Sequence, residues 1–444
     1  MREVDLLIEA GWVIPVEPHG VAMPNHAVVI HDGRIVDLLP IDVALVSYLP
    51  NCRVQRPDSV LLPGFVNAHA HNPMSLMRGL ADDLPLMTWL QGHIWPVEAA
   101  VLGPDFVRDG TELAIVEMLR GGTTCANENY FFPDVSAHTY HRLGFRACVG
   151  LPIIDFPTPW ARSDDEYFER ALAVHDEWRG HPLISTAFAP HAPYTVKDAS
   201  FERIALLSQQ LNLQVHCHVH ETAQEVADSL SQYRQRPLAR LHRLELLNEQ
   251  LIAVHMTQLT PAEIELCAAQ GVSVVHCPES NLKLASGFCP VAALHRAGVG
   301  LALGTDGCAS NNDLDMLGEM RTAALLAKGV ALDAAALDAP SALRMATLGG
   351  ARAMALDEQI GSIEVGKQAD LITLRVDVPE MQPLYDPISQ IVYAGARQYV
   401  RDVWIAGECK VSDGELVDID AAAVLAKALH WGRRIANLPR RQID

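Results

Sequence analysis

Short apolar runs recur along the middle of the chain, each followed by a stretch in which apolar positions return with a helical period. They are Leu61 to His71, Thr123 to Phe131, Phe145 to Ile154, Ile184 to His191, Leu213 to Glu221, Leu251 to Met256, Val272 to Cys277 and Val299 to Asp306. Helix signals lie between them. In Thr260-Pro261-Ala262-Glu263 a Thr cap, a Pro at the first position and a Glu at the third form a capping box, and Gly271 ends that helix. Strand and helix alternating eight times over about 250 residues predict a (β/α)8 barrel. A doubly wound sheet is the alternative. Polar residues gather at the C-terminal ends of at least five strands, where barrels build their sites, and this favours the barrel.

The two ends of the chain read differently from the middle. Leu6 to Val16 and Ala27 to Leu39 are strand-like, the second broken by a turn at Asp32-Gly33. Ala369 to Leu374, Val403 to Ala406 and Cys409 to Val417 repeat the pattern, with Asp413-Gly414 as the turn. Neither fragment can bury a core alone, so one small β-sandwich assembled from both ends is expected, with the barrel inserted between them. The expected division is 1–58, 59–362 for the barrel, and 363–444, with Asp420 to Ala436 as a closing amphipathic helix. No solenoid repeat or low-complexity segment stands out.

Composition narrows the partners. The 444 residues are 49% hydrophobic and 20% charged, which suits a large globular protein with ample core. A formal net charge of -20, with no basic patch to offset it, argues against nucleic acid or an anionic membrane and leaves a small molecule as the expected partner. Nine cysteines without a C-x-x-C pair sit mostly in apolar runs and read as reduced, buried thiols. The first residues carry acids where a signal peptide carries a basic region, and no stretch approaches about 18 uninterrupted apolar residues, so a cytoplasmic location is expected.

The candidate chemistry lies at the strand ends. His69 and His71 close the first run, and alternation along a strand projects both from one face, spaced to grip a divalent ion. His191 ends the fourth run. His216, His218, His220 and Glu221 end the fifth, and His255, His276 and Asp306 follow at the sixth, seventh and eighth. A lone histidine is ordinarily a core or surface residue, but packing does not explain a His or Asp at nearly every strand end. Neutral imidazoles with a carboxylate suit zinc, with iron as the alternative. His69, His71, one histidine of the fifth strand and Asp306 supply the number of ligands a catalytic site needs. Period two does not choose among His216, His218 and His220.

These residues sit in longer motifs: Pro63-Gly64-Phe65-Val66-Asn67-Ala68-His69-Ala70-His71, Leu76-Met77-Arg78-Gly79-Leu80-Ala81-Asp82-Asp83, Gly121-Gly122-Thr123-Thr124, Ala189-Pro190-His191-Ala192-Pro193-Tyr194, His218-Val219-His220-Glu221-Thr222, Gly304-Thr305-Asp306-Gly307 and Gly366-Lys367-Gln368-Ala369-Asp370-Leu371. Over most of its length the chain thereby resembles the amidohydrolase superfamily of metal-dependent hydrolases. The stretch from Leu84 to Leu90 and Trp95-Pro96-Val97-Glu98-Ala99 resemble, within it, the 5-methylthioadenosine/S-adenosylhomocysteine deaminases. The resemblance implies one zinc per subunit, held by His69, His71, His218 and Asp306. It implies hydrolytic deamination of an adenosine-type nucleoside at C6. It further implies that Asp306 takes the proton of the attacking water, that Glu221 protonates N1, and that His255 hydrogen-bonds the attacking oxygen and the tetrahedral centre. Glu98 is implied as acceptor for the ribose hydroxyls and His191 as a second nucleoside contact.

Other implications concern the far end of the substrate. Trp89, with Met87 and Trp95, would wall an apolar pocket for a methylthio group. Arg162 is the best candidate for pairing with the carboxylate of a homocysteine tail. Strand four ends Ala189-Pro190-His191 without the bridging lysine of binuclear members, so a single metal is expected. The enzymatic alternative is a mononuclear aminohydrolase or chlorohydrolase acting on guanine or an s-triazine. The non-enzymatic alternative is a metal-free scaffold of the same fold, against which the complete ligand set argues. A homo-oligomer is compatible with such a barrel.

Overall fold

The computed structural model describes residues 1–438. In chain order its strands are β1 (Arg2–Val13), β2 (Met23–His31), β3 (Arg34–Pro40), β4 (Tyr48–Pro63), β5 (Phe65–Ala70), β6 (Thr123–Glu128), β7 (Arg146–Ile153), β8 (Ile184–Pro190), β9 (Val215–Val219), β10 (Leu251–His255), β11 (Ser273–His276), β12 (Gly300–Leu303), β13 (Leu371–Arg375), β14 (Val400–Ile405), β15 (Glu408–Ser412) and β16 (Glu415–Leu416).

Strands β5 to β12 lie side by side in sequence order in one eight-stranded sheet. Neighbours β7 to β12 pair in parallel. A parallel bridge between Ala70 and Asp306 joins the two ends of the sheet into the expected barrel, and the Asp306 N–H donates to the His69 carbonyl at 3.0 Å. Helices return the chain between strands, among them Pro133–Leu143, Asp164–Trp178, Asp198–Leu211 and Pro261–Gln270. The last carries the capping box read from sequence: Thr260 Oγ1 accepts from the Glu263 N–H at 3.3 Å while Glu263 accepts from the Thr260 N–H at 2.9 Å. Gly271 ends it at a φ of 71°.

The first apolar run is not one strand. It divides at Gly64 between β4, which belongs to the other sheet, and β5. A Cβ at Gly64 would stand 2.2 Å from Thr124 Oγ1, so only glycine fits the break. His71 accordingly lies one residue beyond β5, at the start of a short 3-10 turn, rather than within the strand as alternation assumed.

The second sheet runs β16-β15-β14-β13-β4-β1-β2-β3, combining both ends of the chain as expected. Its pairings are antiparallel except between β1 and β4. The sheet curls: the Ala369 N–H donates to Gly33 O at 2.9 Å, and Leu6, Ile8, Val28 and Ile30 share an apolar cluster with Leu371 and Trp404. The described residues divide into two compact units, Met1–Asn67 with Glu117–Cys125 and Asp315–Ile419, and Ala68–Val116 with Ala126–Leu314 and 420–438.

The helix Ala421–Ala436 is counted with the second unit. Trp431 Nε1 donates to Asp109 at 2.9 Å, and its ring meets Phe106 edge-on at 5.4 Å. Trp431 and Ile435 share an apolar cluster with Trp89, Leu90 and Ile94. Among the described residues no helix is long and apolar enough to cross a membrane.

Candidate active site

Every residue of the site belongs to the second unit. His69 is on β5, His71 directly follows it, His218 is on β9, His255 ends β10, and Asp306 lies just past β12. The backbone turns sharply at these ends. His220, His255 and Asp306 have φ of 54°, 73° and 60°, a region that non-glycine residues occupy at a cost and that recurs at functional sites. The turn at His220 separates the three histidines that alternation left equivalent. His218 faces inward, while His220 is fully buried elsewhere, its Nε2 accepting from the Leu238 N–H at 3.1 Å. His216 lies behind His69, their Nε2 and Nδ1 atoms 2.9 Å apart.

The inward nitrogens converge. His69 Nε2 and His71 Nε2 each lie 3.2 Å from Asp306 Oδ1, and His218 Nε2 lies 3.3 Å from His71 Nε2. A tetrahedral zinc site with bonds of about 2.0–2.1 Å has ligand-to-ligand edges of about 3.3 Å, which these three spacings match. The opposite ring nitrogens are held: His71 Nδ1 donates to Asn129 O at 2.5 Å, His218 Nδ1 to His191 O at 2.5 Å, and His69 Nδ1 faces His216. With an ion bound, that arrangement would leave each Nε2 as the nitrogen that turns its lone pair to the common centre. Asp306 Oδ2, turned the other way, accepts from Ser280 at 2.7 Å and Ser310 at 2.9 Å.

Burial sets the charges. Burial alone would raise the Asp306 carboxyl, but the hydrogen bonds and charge of His69 and His71 outweigh it and hold it well below the carboxylate range. Burial, reinforced by the Asp306 charge, pushes Glu221 up to about 8, so it carries a proton at neutral pH. Burial likewise lifts Glu98 to about 7, against the hydrogen bond that Tyr130 donates to it at 2.5 Å. Burial also lowers His191 to about 4, its Nδ1 lying 2.9 Å from Thr195 Oγ1.

A cavity of about 320 Å³ reaches His71, His191, His218, Glu221, His255 and Asp306, and Glu98 also lines it. Trp89, Leu90, Trp95 and Phe156 contribute an apolar wall, with Trp95 and Phe156 ring to ring at 6.3 Å. Besides His69, His216 and His220, three further candidates from sequence do not line it. Met87 is exposed and outside the lining. His276 is buried and outside it. Arg162 is exposed, its backbone N–H taken by Glu166 at 2.8 Å, and neither Arg nor Lys is among the described lining residues. Sequence reasoning passed over Tyr130, Ser280, Asn281 and Ser310, which carry no metal-ligand or acid-base signature of their own.

Comparison with known proteins bears on this geometry. The amidohydrolase family profile matches residues 60–410. The 5-methylthioadenosine/S-adenosylhomocysteine deaminase of Teredinibacter turnerae is 47% identical over 97% of this chain and 98% of its own, and that of Saccharophagus degradans is 45% identical over 97% of each. Among solved structures, an adenosine deaminase from Xanthomonas campestris with bound zinc superposes with a TM-score of 0.98 at 66% identity, covering 98% of this chain and 100% of that one. An atrazine chlorohydrolase from Arthrobacter aurescens, at 22% identity and a TM-score of 0.89 over 96% of this chain and 99% of its own, shares the fold. The strand-end histidines and aspartate thus stand in a chain that belongs to the amidohydrolase family and, within it, to the 5-methylthioadenosine/S-adenosylhomocysteine deaminases.

Proposed function

We propose that the protein is a zinc-dependent aminohydrolase that removes ammonia from C6 of an adenosine-type nucleoside and leaves the inosine analogue. The observation that carries this reading is the convergence of His69, His71, His218 and Asp306, the last three of which line a cavity that Glu221, raised to about 8 by burial, also lines. Those four residues would hold zinc, the metal bound by the Xanthomonas relative. Bound zinc supplies Lewis acidity that brings the pKa of water toward about 7.

The chain's own groups do the rest. Glu221 delivers its proton to N1, so that the ring accepts electrons as C6 is attacked. Asp306, kept ionised, takes a proton from the attacking water and passes it to the departing ammonia. His255 offers a hydrogen-bonding nitrogen to the oxygen at C6. Glu98, with one oxygen held by Tyr130, accepts from the ribose hydroxyls, and His191 contacts the nucleoside. The apolar wall and the outward position of Arg162 support 5-methylthioadenosine or adenosine over S-adenosylhomocysteine, whose charged tail would go unpaired there. None of the nine cysteines forms a disulfide, which supports a cytoplasmic setting.

The test is a panel of 5-methylthioadenosine, adenosine, S-adenosylhomocysteine, guanine and a chlorotriazine offered to the zinc-loaded protein, following ammonia and chloride. The first two should turn over, with S-adenosylhomocysteine about tenfold or more behind in kcat/KM, the equivalent of one lost charge-assisted hydrogen bond. Turnover confined to guanine or the triazine would reject the substrate class.

A further inference from the structure

The short helix Pro278–Lys283 follows β11 and carries two neighbours that the reaction scheme above leaves unused, Ser280 and Asn281. Both are buried. Consecutive helical side chains leave the axis about 100° apart, so the pair can reach two different groups. Ser280 Oγ donates to Asp306 Oδ2 at 2.7 Å, and Asn281 Oδ1 accepts from His255 Nδ1 at 2.9 Å. The turn that presents them is itself tied down, because the Asn281 N–H donates to Cys277 O at 3.0 Å.

We propose that Ser280-Asn281 is a positioning pair that sets which lone pairs His255 and Asp306 present to the reacting oxygen. This rests on the deaminase reading. With its Nδ1 proton given to Asn281, neutral His255 keeps an unprotonated Nε2 as the nitrogen available to the cavity. With Oδ2 taken by Ser280, and by Ser310 at 2.9 Å, Asp306 directs Oδ1 to His69 and His71. Stability gives no reason for an asparagine here. Its Nδ2 is buried without a partner, a loss that a leucine of similar size would avoid. The side chain is explained by its oxygen alone.

The experiment uses the full zinc-loaded chain and four substitutions, N281L, N281D, S280A and S280T, with zinc content and thermal midpoint as folding controls. N281L should lower kcat about 10- to 100-fold, as loss of an orienting partner does, with KM and zinc content near wild type. N281D, which can only accept, should recover most of that kcat. S280A should lose kcat and S280T keep it. In parallel, 15N-histidine spectra should show His255 as the Nδ1–H tautomer in wild type and N281D and not in N281L. Wild-type kcat in N281L, equal losses in N281L and N281D, or an Nε2–H tautomer in wild type would overturn the proposal. A wild type with the Nδ1–H tautomer but no ammonia release from any nucleoside would instead bring down the deaminase reading.

Discussion

Glu98 and Glu221 line one cavity, and the roles proposed for them require opposite charge states. Glu98 must be ionised to accept from ribose hydroxyls, and burial places it near 7, so binding weakens as pH falls through that value. Glu221 must be protonated to serve N1, and burial with the Asp306 charge places it near 8, so catalysis fails as pH rises through that value. The profile of kcat/KM is therefore expected to peak between the two and to fall on both sides. E98Q should flatten the acid side and raise KM, whereas E221Q should remove most of kcat; an E221Q enzyme at wild-type rate would refute the proton role. The candidate ligands were legible in the chain because they close short apolar runs, although His71 falls one residue past its strand and not within it. His216, His218 and His220 were not separable that way, since the φ of 54° that turns His220 aside leaves no local signature. Ser280 and Asn281 each sit 26 residues from the group they hold, a pairing that only the folded chain creates.

Strand ends do more than carry the proposed ligands. Gly304, just past β12, lies against the His69 backbone, and a Cβ there would stand 2.8 Å from His69 N and 2.9 Å from His69 O. G304A should push the first ligand out of place, lowering the thermal midpoint and the zinc content together, measured by melting and by metal analysis after desalting. Gly329 provides the contrast. It is exposed in the helix Met316–Ala331 with open space around it, and G329A should stabilise by about 0.5–1 kcal/mol. The barrel strands were readable because they are continuous apolar runs bounded by helix caps. The longest strand was not. β4, which joins the two ends of the chain in one sheet, is interrupted by Pro50 and Pro57 and mostly faces solvent until Val60, so its composition resembles a linker.

For the molecule as a whole, the ion is expected to be a structural as well as a chemical asset. A ligand that binds only the folded state stabilises it by about 4 kcal/mol at a thousand times its Kd. Exhaustive chelation should therefore lower the thermal midpoint and abolish ammonia release, and added zinc should restore both; full activity after chelation would sink the functional reading. The helix Ala421–Ala436 adds support of another kind. Trp431 and Ile435 share their apolar cluster with Trp89, Leu90 and Ile94, which wall the cavity, while the four proposed ligands all precede Gly307 in the chain. The proposed ion site and the wall of the pocket thus draw their support from different stretches of the chain. A substitution at Trp431 is therefore expected to loosen the proposed grip on the nucleoside while sparing the proposed hold on the metal.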